Sequence, residues 1–374
     1  MRIAFILDDA IDRPGGVQTY ILAVTWWLAG QGHEVELVAA GEIPRGYPVT
    51  HHRIPNMPTM RINGTDIGIA VPVGLGDFMR RLREGYFDVL HLQFPQSFAI
   101  SRRAMRQTHP RTSIVASYHT VPYTRLDRLA LMALARSLRR YTSKVDLFLP
   151  TSKIAHHWLA TAFAVGGPIL PPALAMGPWT ADRHLDESRP IVFLGRLAPR
   201  KGCDILIKAY ASLAREGGVK LPPMHIIGRG SSERKLRALV ARLGLSGQID
   251  FLGLVSESVK LKLLASAGLA VYPSLGGEGF GYVLVEALSL GVPVIAGNIE
   301  AYAETLAGAP GVLVDARAPE AVAEAIKALL SSCRADRCTE IRESRAHAAK
   351  FDIKLIGPML LEHYAAIVSS RQRT

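Results

Sequence analysis

The chain has 374 residues, 49% of them apolar, and carries a formal charge of +12. That length is too great for one ordinary core and suits two domains, and no uncharged apolar run approaches the length of a membrane span. Three cysteines, Cys203, Cys333 and Cys338, are odd in number and scattered, which argues against a disulfide framework and lacks the close pairing of a zinc site.

The N-terminus, MRIAFILDDA, reads as a strand entering a loop, because acids follow the apolar run where a signal peptide would have its cleavage site. A cytoplasmic protein is therefore expected. RIAFIL, EVELVAA, FDVLHL, SIVASYH and LFLPT are strand-like. Val17–Leu28, the stretch around Met79–Arg83 and Leu126–Tyr141 are helix-like. This alternation predicts a parallel sheet with helices on both faces. Residues 171–190 lose periodicity, are rich in Pro and charge, and read as a linker.

The second half restarts the pattern. PIVFLGRL is followed by a helix over Cys203–Arg215, MHIIGRG by Ser232–Leu243, and IDFLGLV by Val259–Ala267; LAVYPS, VPVIAG and GVLVD are further strands, and Leu355–Val368 is helical. The expected fold class is α/β, with two doubly wound Rossmann-like domains facing a cleft and ligands at the carboxyl ends of the strands. The divisions are drawn at 1–177, 178–354 and a closing helical segment, 355–374.

The basic excess is local. Between Met79 and Lys144, thirteen Lys and Arg stand against Glu84, Asp88 and Asp127. Nucleic acid, an anionic membrane surface, an anionic acceptor or a merely solvated face would each account for it. Single-strand nucleic-acid modules interleave aromatics with the basic residues, and Arg80–Arg83 lacks them, so no nucleic-acid partner is expected. Arg80, Arg81 and Arg83, on a helix with Phe78, Met79 and Leu82, are the candidate membrane contacts.

Residues 271–296, VYPSLGGEGFGYVLVEALSLGVPVIA, carry the strongest signal: strand, glycine-rich loop, helix, strand. The glycines let the backbone approach a ligand closely. Glu278 falls in the loop and Glu286 on the first turns of a helix over Tyr282–Leu290, whose open amides at its start suit an anion. In FLGRLAPRKGCDILIKAY, Arg196 ends a strand and Lys201 precedes a helix, so two cations and a helix dipole converge where a diphosphate could sit. Arg200 ranks below Lys201. In PGGVQTY, Gly15 and Gly16 open a helix that bears Gln18. This is not a dinucleotide fingerprint. His119 stands at a strand end, while His91 reads as structural. No Asp-x-Asp pair or His/Glu cluster at ligand spacing is present, so no metal is expected.

These segments, from PGGVQ through FDVLHL, SYHT, GRLAPRKG, IIGRG and IDFLGLV to the paired glutamates, resemble the retaining GT-B glycosyltransferases of family 4. The resemblance covers nearly the whole chain. PGGVQ, Asn63–Gly64, IIGRG and LGGEGFGYVLVEA look most like the phosphatidylinositol mannosyltransferase subgroup. It implies hexose transfer, mannose or glucose type, from a nucleotide-diphosphate sugar to an acceptor hydroxyl, with no cofactor or metal. The acceptor alcohol could be lipid-linked and met at the inner face of the membrane. It implies His119 and Glu278 as catalytic, and Gly16, Arg196, Lys201, Val255, Phe280, Gly281, Tyr282, Val283 and Glu286 as donor-binding. Gln18 and Asp12 would serve the acceptor. Departures from the family pattern are PPALAMG at Pro171–Gly177, Asp9 where an aromatic is usual, and Ala267–Gly268. The alternatives are a glycosyltransferase for soluble small molecules, a nucleotide-sugar epimerase on the same fold, and a non-catalytic binding protein.

Overall fold

The computed structural model describes residues 1–55, 59–62, 65–68, 73–95, 99–177, 189–217, 221–331 and 334–372. Asn63–Gly64, Cys333 and residues 178–188 of the expected linker lie outside the described residues. The chain divides into two compact units. One comprises Met1–Ala175 together with Phe351–Thr374, and the other Met176–Lys350.

The first unit runs β1 (Arg2–Ala10), α1 (Gly16–Gly30), β2 (Glu34–Ala40), β3 (Thr50–Arg53), β4 (Thr59–Ile62), β5 (Thr65–Gly68), α2 (Gly76–Arg83), β6 (Val89–Phe94), α3 (Ala99–Gln107), β7 (Ser113–Tyr118), α4 (Arg125–Thr142), β8 (Leu147–Pro150) and α5 (Lys153–Phe163). Six strands form a parallel sheet in the order β3-β2-β1-β6-β7-β8, and β4 and β5 pair separately and antiparallel. The central strands are continuous buried apolar runs, as a sheet covered on both faces requires. The strand order reverses between β1 and β6, and in open α/β sheets ligands bind beyond the carboxyl ends at such a switch point.

The second unit repeats the plan with β9 (Ile191–Leu194), α6 (Cys203–Glu216), β10 (Met224–Ile227), α7 (Glu233–Arg242), β11 (Ile249–Gly253), α8 (Glu257–Ser266), β12 (Leu269–Tyr272), α9 (Tyr282–Ser289), β13 (Val294–Gly297), α10 (Glu300–Thr305), β14 (Gly311–Val314), α11 (Pro319–Leu330) and α12 (Arg334–Ala349). Its parallel sheet has the order β11-β10-β9-β12-β13-β14, so its switch point lies between β9 and β12. The last helix, α13 (Ile353–Gln372), belongs to the first unit. It crosses α1 so closely that a Cβ on Gly357 would stand 2.7 Å from the Trp27 ring, which explains a glycine there. Among the described residues no helix is long and apolar enough to cross a membrane.

Candidate active site

In the second unit the chemistry gathers on the two loops that leave the switch-point strands. After β9 the chain passes Arg196 and makes a single 3-10 turn at Pro199–Lys201. It then enters α6 through Gly202, whose φ of +68° and whose approach to the Pro273 carbonyl leave no room for a Cβ. After β12 comes the glycine loop with Glu278. The loops are joined by the Leu275 amide, which donates to the Arg200 carbonyl at 2.7 Å. The Arg200 guanidinium donates to the Gly277 carbonyl at 3.2 Å and to the Glu278 carboxylate, which Lys201 Nζ also meets at 2.9 Å. All three side chains are nearly covered, 12–14% exposed.

Burial alone would raise Glu278, but Lys201 and Arg200 outweigh it and hold the carboxyl below its ordinary range. Lys201 itself is lowered, chiefly by burial and further by the charges of Arg200 and Arg196, against the pull of Glu278. Arg196 is therefore close enough to be felt at the same spot. Arg200, ranked below Lys201 on sequence, stands beside it in the structure. It shares the Glu278 carboxylate with Lys201, across 78 residues of chain that no local pattern spans.

Glu286 sits on α9, 6% exposed. It pairs with Lys260 Nζ of α8 at 2.9 Å, and the same ammonium meets the exposed Glu257 at 2.7 Å. Burial lifts Glu286 above its ordinary range despite Lys260. Lys260, which burial would lower, is raised by its two acids. The two glutamates belong to one neighbourhood. Tyr272 is pushed well up by burial and then by Glu286, and Tyr302 by burial and then by Glu278. Ser274 and Tyr302 hydroxyls lie 3.0 Å apart. Helix α9 is N-capped by Gly281 with no side-chain cap and no acid in its first turn, so the positive end of its dipole favours an anion. Phe280 is buried against Tyr282 edge-to-face, and Val255 is half-buried on the loop between β11 and α8. The sequence reading missed Lys260. An i, i+3 pair with Glu257 is visible in the chain, but nothing local links it to Glu286.

In the first unit the end of β1 and the residues that follow it form a second group. Asp9 accepts from Arg13 at 2.9 Å and from Gln18 at 3.4 Å, and Gln18 also reaches the Ala10 carbonyl at 3.3 Å. Helix α1 opens at Gly15 and Gly16 with no side-chain cap and no acid in its first turn. Asp12 departs from this group. Its carboxylate is exposed and accepts the Glu42 amide at 3.2 Å, in the loop after β2. His119 follows β7 with its ring edge-on to Tyr20 of α1 and its Nε2 3.0 Å from the Gln93 carbonyl oxygen. Burial lowers it to about 4, so at pH 7 it is neutral. His91 is wholly buried and joins Ser117 at 2.8 Å and the Tyr364 hydroxyl of α13, and burial lowers it to about 3.

The arginines of α2, the candidate membrane contacts, stand on a helix whose apolar side is buried. Phe78, Met79 and Leu82 face the core, so no apolar side of α2 is left for lipid. Arg81 is bidentate to the buried Glu36 of β2, at 2.7 Å for Nη2–Oε2. Arg80 pairs with Asp77 and Glu84, and Arg83 reaches Gln107 at 2.8 Å. The period groups Phe78, Met79 and Leu82 correctly, and these three pack inward while Arg80 and Arg83 stay exposed.

Set beside known proteins, residues 181–347 match the family described as glycosyl transferases group 1, and residues 14–169 the one described as glycosyltransferase family 4. The chain is 30% identical to the phosphatidyl-myo-inositol mannosyltransferase of Mycobacterium leprae, over 99% of this chain and 98% of that protein. It is 27% identical, over 88% and 89%, to the GDP-mannose-dependent alpha-(1-6)-phosphatidylinositol monomannoside mannosyltransferase of Mycobacterium tuberculosis. Among solved structures, HepE of Anabaena with UDP-glucose superposes at a TM-score of 0.76, with 18% identity over 98% of this chain and all of that one. The fold is GT-B, and with the family matches on both units the chain belongs to the group 1, family 4 glycosyltransferases.

Proposed function

We propose that this enzyme transfers mannose from GDP-mannose, with retention and without a metal, to a hydroxyl of a phosphoinositide-type lipid at an anionic membrane surface. The observation that carries the donor half is the convergence of Arg200 and Lys201 on Glu278, with the charge of Arg196 felt at Lys201, beside the N-terminus of α9. Three cations and a helix N-terminus suit a diphosphate, and the cations take the charge-neutralising role of a divalent ion. Glu286 would receive the ribose hydroxyls and Glu278 those of the sugar. Mannose, GDP and the lipid acceptor follow the relatives named above.

In the proposed step the bond from the anomeric carbon to the diphosphate oxygen breaks, and the acceptor oxygen bonds to that carbon on the same face. The acceptor proton passes to the departing phosphate. Arg196, Arg200 and Lys201 stabilise the charge that grows on that phosphate. The neutral His119 would hydrogen-bond the transferred sugar.

Thermal stabilisation across a panel of nucleotide sugars tests the donor, and GDP-mannose should shift the midpoint most. Lys201→Ala should weaken nucleoside diphosphate binding by about tenfold or more while sparing the nucleoside; equal loss for both removes the diphosphate assignment. NMR of the product linkage decides retention, and an inverted anomer overturns it. Transfer should persist in excess chelator.

A further inference from the structure

The strongest unassigned feature of the surface is α4. Its inner side, Leu131, Ala135, Leu138 and Tyr141, packs into the core. At 100° per residue the opposite stripe carries Leu126, Leu129, Met132, Arg136 and Arg140. Leu126 is 76% exposed, Leu129 67% and Met132 45%, a row of large apolar side chains on one helix face. The remaining arginines of the helix, Arg125, Arg128 and Arg139, flank that row or its basic end.

Among the described residues the charge of this face is unopposed. The one acid of α4, Asp127, is engaged in a capping box with Thr124 at the start of the helix. Among the described residues no arginine of α4 makes an ion pair, nor do Arg102 and Arg106 of the neighbouring α3. Arg102, Arg106 and Arg140 crowd around one ring, their guanidinium carbons 5.3, 5.5 and 5.0 Å from the Tyr141 centroid. Three like charges gathered without a carboxylate repel one another, and an arriving anion relieves that repulsion.

We propose that α4, with the Arg102–Arg106–Arg140 cluster, is the surface by which this protein lies on an anionic bilayer. Leu126, Leu129 and Met132 enter the interface while the arginines meet lipid phosphates. An interfacial helix needs both properties on one face, and α4 has them. A second copy fits poorly, since a two-fold contact would set these arginines against themselves. A nucleic acid would find leucines where stacking rings are needed. The inference draws its purpose from the lipid-acceptor reading, but its test needs neither donor nor acceptor.

The test is co-sedimentation of the full chain with phosphatidylcholine vesicles, with and without phosphatidylglycerol, at low and moderate salt. Wild type should pellet with the anionic vesicles and be released by salt. Leu126→Ser/Leu129→Ser and Arg136→Ser/Arg139→Ser/Arg140→Ser should each lose at least about tenfold in partitioning. Arg80→Ser/Arg83→Ser should partition like wild type. Circular dichroism, melting and stabilisation by nucleotide sugar should be unchanged in all of them. Wild type left in the supernatant, α4 variants that bind as wild type, or an equal loss on α2 each overturn the proposal. So does a wild-type dimer that Leu126→Ser/Leu129→Ser dissolves. If vesicle binding follows α4 while no nucleotide sugar is bound, the proposed function fails and this inference stands.

Discussion

Helices α2 and α4 are both arginine-rich amphipathic helices of the same unit, and their arginines have opposite fates. In α2 the apolar side is buried and the cations meet Asp77, Glu84 and the buried Glu36. In α4 the inner side is equally buried, but the outer side adds leucines, and among the described residues its cations meet no acid. A count of arginines does not tell a structural cation from an available one. The partner across the fold does, together with what the rest of the helix surface presents.

The largest effect expected on this comparison lies at Glu36. It is 2% exposed and holds both Arg81 and, at 2.6 Å, His52. Glu36→Gln strands a partly buried guanidinium and should destabilise the fold by about 3 kcal/mol in urea unfolding with an unchanged slope. A loss under about 1 kcal/mol would make α2 as loosely tied as α4.

The same pair sets a pH dependence. Burial would raise Glu36, but His52 and Arg81 hold it below its ordinary value of 4.5. A carboxyl depressed in the fold stabilises fully above its unfolded value and loses that contribution as pH falls through the folded one. The stability gap between wild type and Glu36→Gln should therefore be flat near neutrality and shrink below about 4.5. A gap that instead narrows towards alkaline pH would contradict the pairing.

A smaller effect comes from making α4 resemble α2. Ala133 is exposed on the outer face, one turn before Arg136. Ala133→Glu would give that arginine an i, i+3 partner. It should reduce partitioning onto anionic vesicles several-fold, by about 1 kcal/mol for the charge neutralised, with the melting temperature scarcely moved. The reverse exchange should do least. Asp77→Asn/Glu84→Gln releases Arg80, but the pairs broken are exposed, so stability should change by no more than about 0.5 kcal/mol. Vesicle binding should not rise, because Phe78, Met79 and Leu82 stay in the core. A clear gain would show that free charge alone suffices.

Much of this molecule was written locally. The strand EVELVAA falls on β2 residue for residue, and the helix read over Leu126–Tyr141 is α4 extended by one residue at each end. Apolar period and glycine or proline stops are properties of neighbouring residues, so a sequence displays them. The loop placing of Glu278 and the helical placing of Glu286 were legible for the same reason. The short β3, the β4–β5 pair, α3, α5, α10, α11 and α12 were not read. Tertiary structure alone decided the partners: Arg200 with Glu278, Lys260 with Glu286 and Arg81 with Glu36 are separated by 78, 26 and 45 residues. It also decided facing, burying Phe78 and Met79 while leaving Leu126 and Leu129 in solvent. Periodicity states which side chains share a face of a helix. Which way that face turns depends on the apolar surface the rest of the chain brings to it, and ion pairs depend on distances that only the packed fold creates.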